Sequence, residues 1–343
     1  MIDPGPDAKV YPIVKVATIV ELLGEEGIRA DEALARTDIP ERALTSPAAR
    51  VSVRQVLECC RNALRLTRNP QFAYHAGLRF HVSAYGMYGF AMLASTDFRQ
   101  TMAFIQQYHQ LATPLGAIGF EERGDRAAWN IAPLDHPLVD SDLYRYLVEL
   151  HCGIFLSILR DLMGGAFSPQ EVGLIYAPAT ISGAYPAYAG YPVLFRQPAN
   201  QLEFDAAWLD QPAVLGNQIT YAAVVKLCDN LLEELELQAG VAGRVRHAVL
   251  IRGVAEVGFD QIAQDLGLSP RTLRRHLGQE GAPFRRLLDE LRAEMAIKYL
   301  RETLLPVDQI GEMLGFSEPA NFRRAFRRWT KAAPGEYRDI QGS

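Results

Sequence analysis

Arg271, Arg274 and Arg275 fall on one face of a helical stretch, and Arg323, Arg324 and Arg327 fall on one face of another. A guanidinium is a planar fork of N–H donors that can meet O6 and N7 of guanine together, or grip a phosphate. The second stretch carries five basic and no acidic residues between Arg323 and Lys331, whereas a solvated surface helix normally mixes both signs. The chemistry within reach of these residues is the reading and neutralising of a polyanion.

The elements that must hold these arginines are legible around them. In the segment from Phe259 to Gly278, Ile262, Ala263 and Leu266 make the buried side of a first helix, and Gly267 supplies the positive φ of a tight turn. Ser269 suits an N-cap and Pro270 the first helical position. Leu273 and Leu277 are the buried side of a second helix, opposite its arginines, with His276 as a packing or surface residue. The pattern recurs 48 residues later: Val307, Ile310 and Leu314, then the turn Gly315, packing Phe316, capping Ser317 and a helix from about Pro319. There Phe322, Ala325, Phe326 and Trp329 fall at i, i+3, i+4 and i+7, and Ala320, Arg323, Arg324 and Arg327 form the opposite stripe. Both units read as helix-turn-helix. Between them, Leu287, Leu288, Leu291, Met295 and Leu300 mark a connecting helix of about 27 Å at roughly 1.5 Å per residue. Major-groove faces repeat about every 34 Å, so a stiff connector of this length can seat both second helices on one duplex face.

Charge supports the division. The 343 residues carry a net −5, but from Val241 onward 17 basic residues stand against 13 acidic ones. The remaining 240 residues hold 18 against 27. Only the C-terminal part is suited to a polyanion. With 49% apolar and 22% charged residues, the chain is an ordinary globular protein rather than a disordered, collagen-like or disulfide-built one. Cys59, Cys60, Cys152 and Cys228 show no metal-ligand or CxxC spacing and read as reduced thiols. The stretch from Gly173 to Phe195 is broken by prolines, Phe80 to Thr96 is too short to span a bilayer, and the N-terminus lacks a basic region followed by an apolar core. A cytoplasmic protein that does not enter the membrane is expected.

The C-terminal stretch from about Ala242 to Asp339 resembles the DNA-binding domain of AraC/XylS transcriptional regulators. The residues that carry the likeness are Arg292, Ala296 and Leu300, then Ile310, Leu314-Gly315-Phe316, Phe322, Phe326-Arg327-Arg328-Trp329 and Pro334-Gly335-Glu336-Tyr337-Arg338. Gly311 stands where that family usually has Ala, and a helical Gly costs about 1 kcal/mol relative to Ala, so the second unit should be looser. Lys331-Ala332-Ala333 also departs from the usual Gly-x-Ser/Thr. The resemblance implies that both second helices enter the major groove. Arg271, Arg274, Arg275, Ala320, Arg323 and Arg324 then face base edges, and Arg327, Arg328, Lys331 and Arg338 face phosphates. Pairing of Arg275 or Arg328 with nearby acids is the alternative.

The N-terminal 240 residues mix helical patterns (Val53 to Leu64, Ala84 to Leu93, Phe98 to Leu111, Asp140 to Met163) with strand-like runs at Leu115–Glu121, Ala127–Ile131 and Val172–Tyr176. Arg123-Gly124-Asp125 signals a hairpin between the first two runs. Tyr85 to Ser95, Thr101 to Leu111, Val193-Leu194-Phe195 and Leu202-Glu203-Phe204 resemble the arabinose-binding-type domain of ornithine-utilisation-like regulators in the same family. The fold expected is an α+β sensor domain, residues 1–215, a linker helix, 216–241, and an all-α domain of two helix-turn-helix units joined by a long helix, 242–340. Tyr85, Tyr88, Tyr108, His109 and Trp129 pair apolar bodies with polar tips and are effector-site candidates, or else an aromatic core with satisfied polar tips. His81 and His109 lack any HxxxH or Cys partner, and neither a metal nor a cofactor is expected. In the linker helix Val224, Leu227, Leu231 and Leu235, with Glu233, Glu234 and Glu236, either pair with a second copy or pack on their own domain. The small-residue run from Gln238 to Gly243 reads as a hinge.

The partners this reading implies are double-stranded DNA, a small-molecule effector, RNA polymerase and a second copy of the chain. Catalysis is not expected, since no GxSxG, HExxH or GxxxxGK[ST] is present and the scattered cysteines cannot supply a zinc-activated repair site. The rival to effector control is a ligand-independent regulator governed by protein partners or abundance.

Overall fold

The computed structural model describes residues 6–112, 115–134, 136–165, 167–177, 190–238, 240–255 and 257–338. The chain divides into two compact units, one made of Tyr11–Leu134 with Asp142–Glu233 and the other built around Glu234–Ser343. Part of the proline-broken stretch from Gly173 to Phe195 lies outside the described residues.

In the first unit, strands β1 (Tyr11–Pro12) and β2 (Arg50–Val51) pair antiparallel beside helices α1 (Val14–Glu25), α2 (Ala30–Ala33) and α3 (Val53–Leu66). Ser52 and Gln55 close a capping box at the start of α3, which satisfies two of the N–H groups a helix leaves open. Helices α4 (Phe72–Leu78), α5 (Gly86–Ala94) and α6 (Phe98–Tyr108) follow. The helix expected from Ala84 starts later, because Val82–Tyr85 is a 3-10 turn and Gly86 has φ +54°. The helix expected to reach Leu111 ends at Tyr108, and a 3-10 turn continues over His109–Ala112.

Strands β3 (Gly116–Arg123) and β4 (Arg126–Pro133) form the expected hairpin, with Phe120 opposite Trp129. Gly124, at φ +66°, occupies the first position of the two-residue loop, where a left-handed residue keeps the strand twist. Helix α7 (Ser141–Met163) is buried on nearly every side. It crosses α4 closely at two glycines: a Cβ on Gly77 would lie 2.3 Å from the Leu150 carbonyl oxygen, and one on Gly153 would lie 2.3 Å from that of Tyr74. With β5 (Glu171–Gly173), β6 (Val193–Leu194) and β7 (Gln201–Asp205) the sheet order is β3-β4-β7-β5-β6, antiparallel except for β5 and β6. Helix α8 (Gln218–Gln238) follows, with its last residues, from Glu234, counted in the other unit. Its Val224 and Leu235 are buried while Leu227 and Leu231 are exposed, so the expected stripe is split between core and surface. The side chains of Glu233 and Glu236 lie outside the described set.

The second unit is all helix: α9 (Gly240–Arg252), α10 (Phe259–Asp265), α11 (Pro270–Gln279), α12 (Phe284–Glu302), α13 (Val307–Met313), α14 (Pro319–Thr330) and α15 (Pro334–Arg338). Ile262, Leu273, Leu291, Leu300, Ile310, Leu314, Phe322 and Phe326 share one core. Each such side chain contributes about 1.5–3 kcal/mol when fully removed from water. The expected hinge is shorter than its composition suggests. Gly240, at φ +63°, breaks the chain, but Val241 onward is already helical because the Glu280 carboxylate accepts from the N–H groups of Val241 and Ala242, both at 2.8 Å. Arg246 of the same helix is buried and donates to Glu290 at 3.2 Å and Glu294 at 2.8 Å on α12. This ties α9 into the helix-turn-helix core.

Candidate DNA-binding surface and effector cavity

Two turn glycines set the arginine-bearing helices. Gly267, at φ +67°, turns α10 into α11, where Ser269 caps the helix by accepting from the Thr272 N–H at 3.1 Å and Pro270 takes the first position. Gly315, at φ +83°, turns α13 into α14. The cap expected of Ser317 is not made: Glu318 is the N-cap residue and gives no side-chain bond, so α14 relies on Pro319 and on its packing. Gly311 also acts otherwise than expected. A Cβ there would come within 3.0–3.2 Å of the Phe322 side chain, so the missing methyl admits that ring rather than loosening the unit.

The two helix-turn-helix motifs are pinned to each other through the loop that follows α9. Arg292 on α12 donates to the carbonyls of Val254 at 3.2 Å and Ala255 at 3.3 Å, and its guanidinium lies 5.4 Å from the centre of the Phe316 ring. Gly315 touches the same loop, for a Cβ on it would sit 2.3 Å from the Ala255 oxygen. The single carbonyl of Ala255 therefore registers the connector and the second turn together.

On α11, Leu273 and Leu277 are buried and Arg271, Arg274 and Arg275 are exposed. Arg274 lies over the Phe259 ring at 5.1 Å, and Arg275 donates to His276 Nε2 at 3.3 Å. On α14, Phe322, Ala325 and Phe326 are buried while Ala320, Arg323, Arg324 and Arg327 are exposed. Arg323 pairs with Asp308 at 2.6 Å, Arg324 donates to Asn321 at 2.6 Å, and Arg328 pairs with Asp289 at 3.0 Å. These are surface pairs worth at most about 1 kcal/mol, which a phosphate or guanine can displace. Lys331 is exposed and caps α14 in the left-handed region at φ +64°. Arg338 is half-buried on α15 and donates to the Leu305 carbonyl, which secures the end of the domain.

The first unit holds a cavity that is partly open to solvent. Lys15, Tyr85, Tyr88, His109, Trp129 and His151 line it together with aliphatic and aromatic residues. Four of the five sequence candidates are thereby brought together. Tyr108 is the exception: it lies off the lining, stacks on Phe104 with ring centres 4.7 Å apart and donates its hydroxyl to Asp229 at 2.5 Å. Two lining residues escaped sequence reading. Lys15 is an isolated lysine in an otherwise apolar run of α1, and His151 lies mid-way along the buried α7. Among the described residues, no group of three or more His, Cys, Asp or Glu side chains is arranged to hold a metal ion, and no helix is long and apolar enough to cross a membrane.

Residues 27–213 match the model of the arabinose-binding domain of AraC transcription regulators, N-terminal part, and residues 262–340 match that of a helix-turn-helix domain. The chain belongs to the AraC family of transcriptional regulators. It is 30% identical to the ornithine utilization regulator of Pseudomonas aeruginosa over 335 residues, covering 97% of each chain. It is 26% identical to an uncharacterized HTH-type transcriptional regulator of Mycobacterium tuberculosis, over 97% of this chain and 98% of that one. Among solved structures, the transcriptional regulator CdpR from Pseudomonas aeruginosa is 21% identical with a TM-score of 0.49, covering 94% of this chain and 96% of that one. An AraC-family regulator binds DNA through its helix-turn-helix domain and is not an enzyme.

Proposed function

We propose that this regulator reads DNA with α11 and α14 and is controlled by a small molecule held in the cavity of its N-terminal unit. Arg271, Arg274 and Arg275 of the first unit meet base edges, as do Ala320, Arg323 and Arg324 of the second. Arg327, Arg328 and Lys331 grip phosphates, which fix register without reading sequence. Residues 1–215 serve as the effector domain, 216–241 as the linker and 242–340 as the DNA-binding domain. The observation that carries this reading is the pairing of two arginine faces, each exposed opposite a buried stripe. The exposed Ile219, Leu227 and Leu231 of α8 support contact with a second copy of the chain. At a promoter the DNA-bound protein would recruit RNA polymerase, and it would act in the cytoplasm where the DNA lies.

Electrophoretic mobility shifts over the chain's own upstream region test the DNA reading. Arg274→Ala and Arg323→Ala should each weaken a cognate site by about 1–3 kcal/mol and relax one base position. Unchanged affinity and footprint in both variants would refute the assignment. Heat stabilisation by a fractionated cell-metabolite mixture tests the effector reading against control by partners or abundance. A true ligand at a hundred times its Kd adds about 2.7 kcal/mol.

A further inference from the structure

Among the described residues, the cavity lining contains one cationic side chain and no carboxylate. Lys15 is 3% exposed, and its ammonium meets the Ala112 carbonyl and the face of the Tyr85 ring at 5.4 Å. Neither is a counter-charge. Burial pushes the Lys15 pKa down to about 8, which still leaves the group mostly charged near neutrality. The other titratable groups around it do not compensate. Burial keeps the Tyr85 and Tyr88 hydroxyls and the Cys60 thiol protonated, and it lowers the pKa of His109, and that of His151 to about 4.

Two further polar atoms in the same lining have no partner among the described residues: Nε1 of Trp129 and Nε2 of His109, both in residues at least nine-tenths buried. His109 donates through Nδ1 to the Gln106 carbonyl at 3.2 Å, so its Nε2 is an acceptor, whereas the Trp129 nitrogen is a donor. Buried polar atoms are left unpaired only at a cost, and groups like these are satisfied when something else occupies the space. The rest of the lining is hydrocarbon, including Ile105, Leu115, Ile118, Ile154 and Phe155.

We infer that the cavity takes an apolar monocarboxylate, whose carboxylate neutralises the Lys15 ammonium and whose hydrocarbon body fills the aliphatic and aromatic remainder. The Trp129 N–H offers a second donor to the acid, and His109 Nε2 accepts from a hydroxyl on the body where one is present. Sugars and cationic amines fit poorly. A sugar leaves most of its hydroxyls facing hydrocarbon, and an amine brings a like charge to Lys15. This inference rests on the effector reading above and narrows it to one ligand class.

The test uses the full-length protein and three probes of one shape: 4-phenylbutyrate, 4-phenylbutyramide and 4-phenylbutylamine. Calorimetry and tryptophan fluorescence should give the acid a Kd about 10- to 100-fold below that of the amide, with no binding of the amine. Lys15→Met should bind acid and amide alike. Should that variant fail to fold, the wild-type ratio of acid to amide still decides. Equal binding of acid and amide, tighter binding of the amine, or an acid preference that survives Lys15→Met overturns the carboxylate class and leaves effector control standing. If no probe binds, the class is also overturned. Effector control falls with it only if the metabolite mixture gives no stabilisation either.

Discussion

Replacing each of the two turn glycines by alanine separates conformational cost from packing cost. Gly267 and Gly315 occupy the same turn in the two units, at φ +67° and +83°. An L-residue in that region costs about 1–2 kcal/mol at either site. Around Gly267 a Cβ would find open space, so Gly267→Ala should cost no more than that. At Gly315 the Cβ would lie 2.3 Å from the Ala255 oxygen and 2.9 Å from its carbonyl carbon and Cα, all backbone that no rotamer change can move. Overpacking of this kind adds about 1–3 kcal/mol, for a total of about 2–5 kcal/mol. The carbonyl that must yield also accepts from Arg292, so the connector should be disturbed along with the turn. Hydrogen exchange of the full-length protein reads both effects. Gly315→Ala should speed exchange in α13, α14 and the adjoining turn of α12 by about 30- to 5000-fold, and Gly267→Ala should speed exchange in α10 and α11 by at most about 30-fold. Equal effects of the two substitutions, or a larger one at Gly267, would show that the Ala255 contact does not hold the second unit.

Lys15→Met should stabilise the ligand-free protein. The Lys15 pKa is about 8 when folded against an ordinary 10.5, so below pH 8 the fold carries the full cost of a buried charge, of order 3 kcal/mol. The stability that Lys15→Met adds over wild type should therefore shrink between about pH 8 and 10.5, where the unfolded wild-type chain holds the Lys15 proton and the folded one does not. Denaturant melts of the two proteins should show that narrowing, and a difference that stays constant with pH would contradict the burial argument. Gly153→Ala should lower the first unit's melting temperature, because its Cβ meets the Tyr74 carbonyl oxygen at 2.3 Å. Calorimetry showing no change would mean that α4 and α7 can separate freely. Glu280→Ala should cost about 1 kcal/mol by uncapping α9, seen as faster amide exchange at Val241 and Ala242. Unaltered protection there would remove the cap.

Much of the DNA-binding unit was legible because its signals are local. Helical periodicity, a turn glycine and a Ser-Pro start place α10, α11, α13 and α14 within a few residues, and the arginines fall opposite the buried stripe. Features that depend on tertiary contact were not legible. Glu280 caps a helix nearly forty residues upstream, which turned an expected hinge into ordered helix. Gly311 read as a weakness until Phe322 was seen to fill its space. Arg338 looked like the other basic residues, but its backbone position aims it inward at Leu305. In the N-terminal unit, aromatic residues with polar tips picked out most of one cavity wall. Lys15 was missed because a single lysine on an amphipathic helix carries no local mark of being buried.

Hydroxyl-radical footprinting of the full-length protein on its own operator, paired with single arginine variants, tests most directly that two helices read one duplex face. Wild-type protein should protect two stretches about one helical turn apart, with Arg274→Ala erasing contacts in one and Arg323→Ala erasing contacts in the other. A single protected stretch, or two that fade together in either variant, would contradict the account.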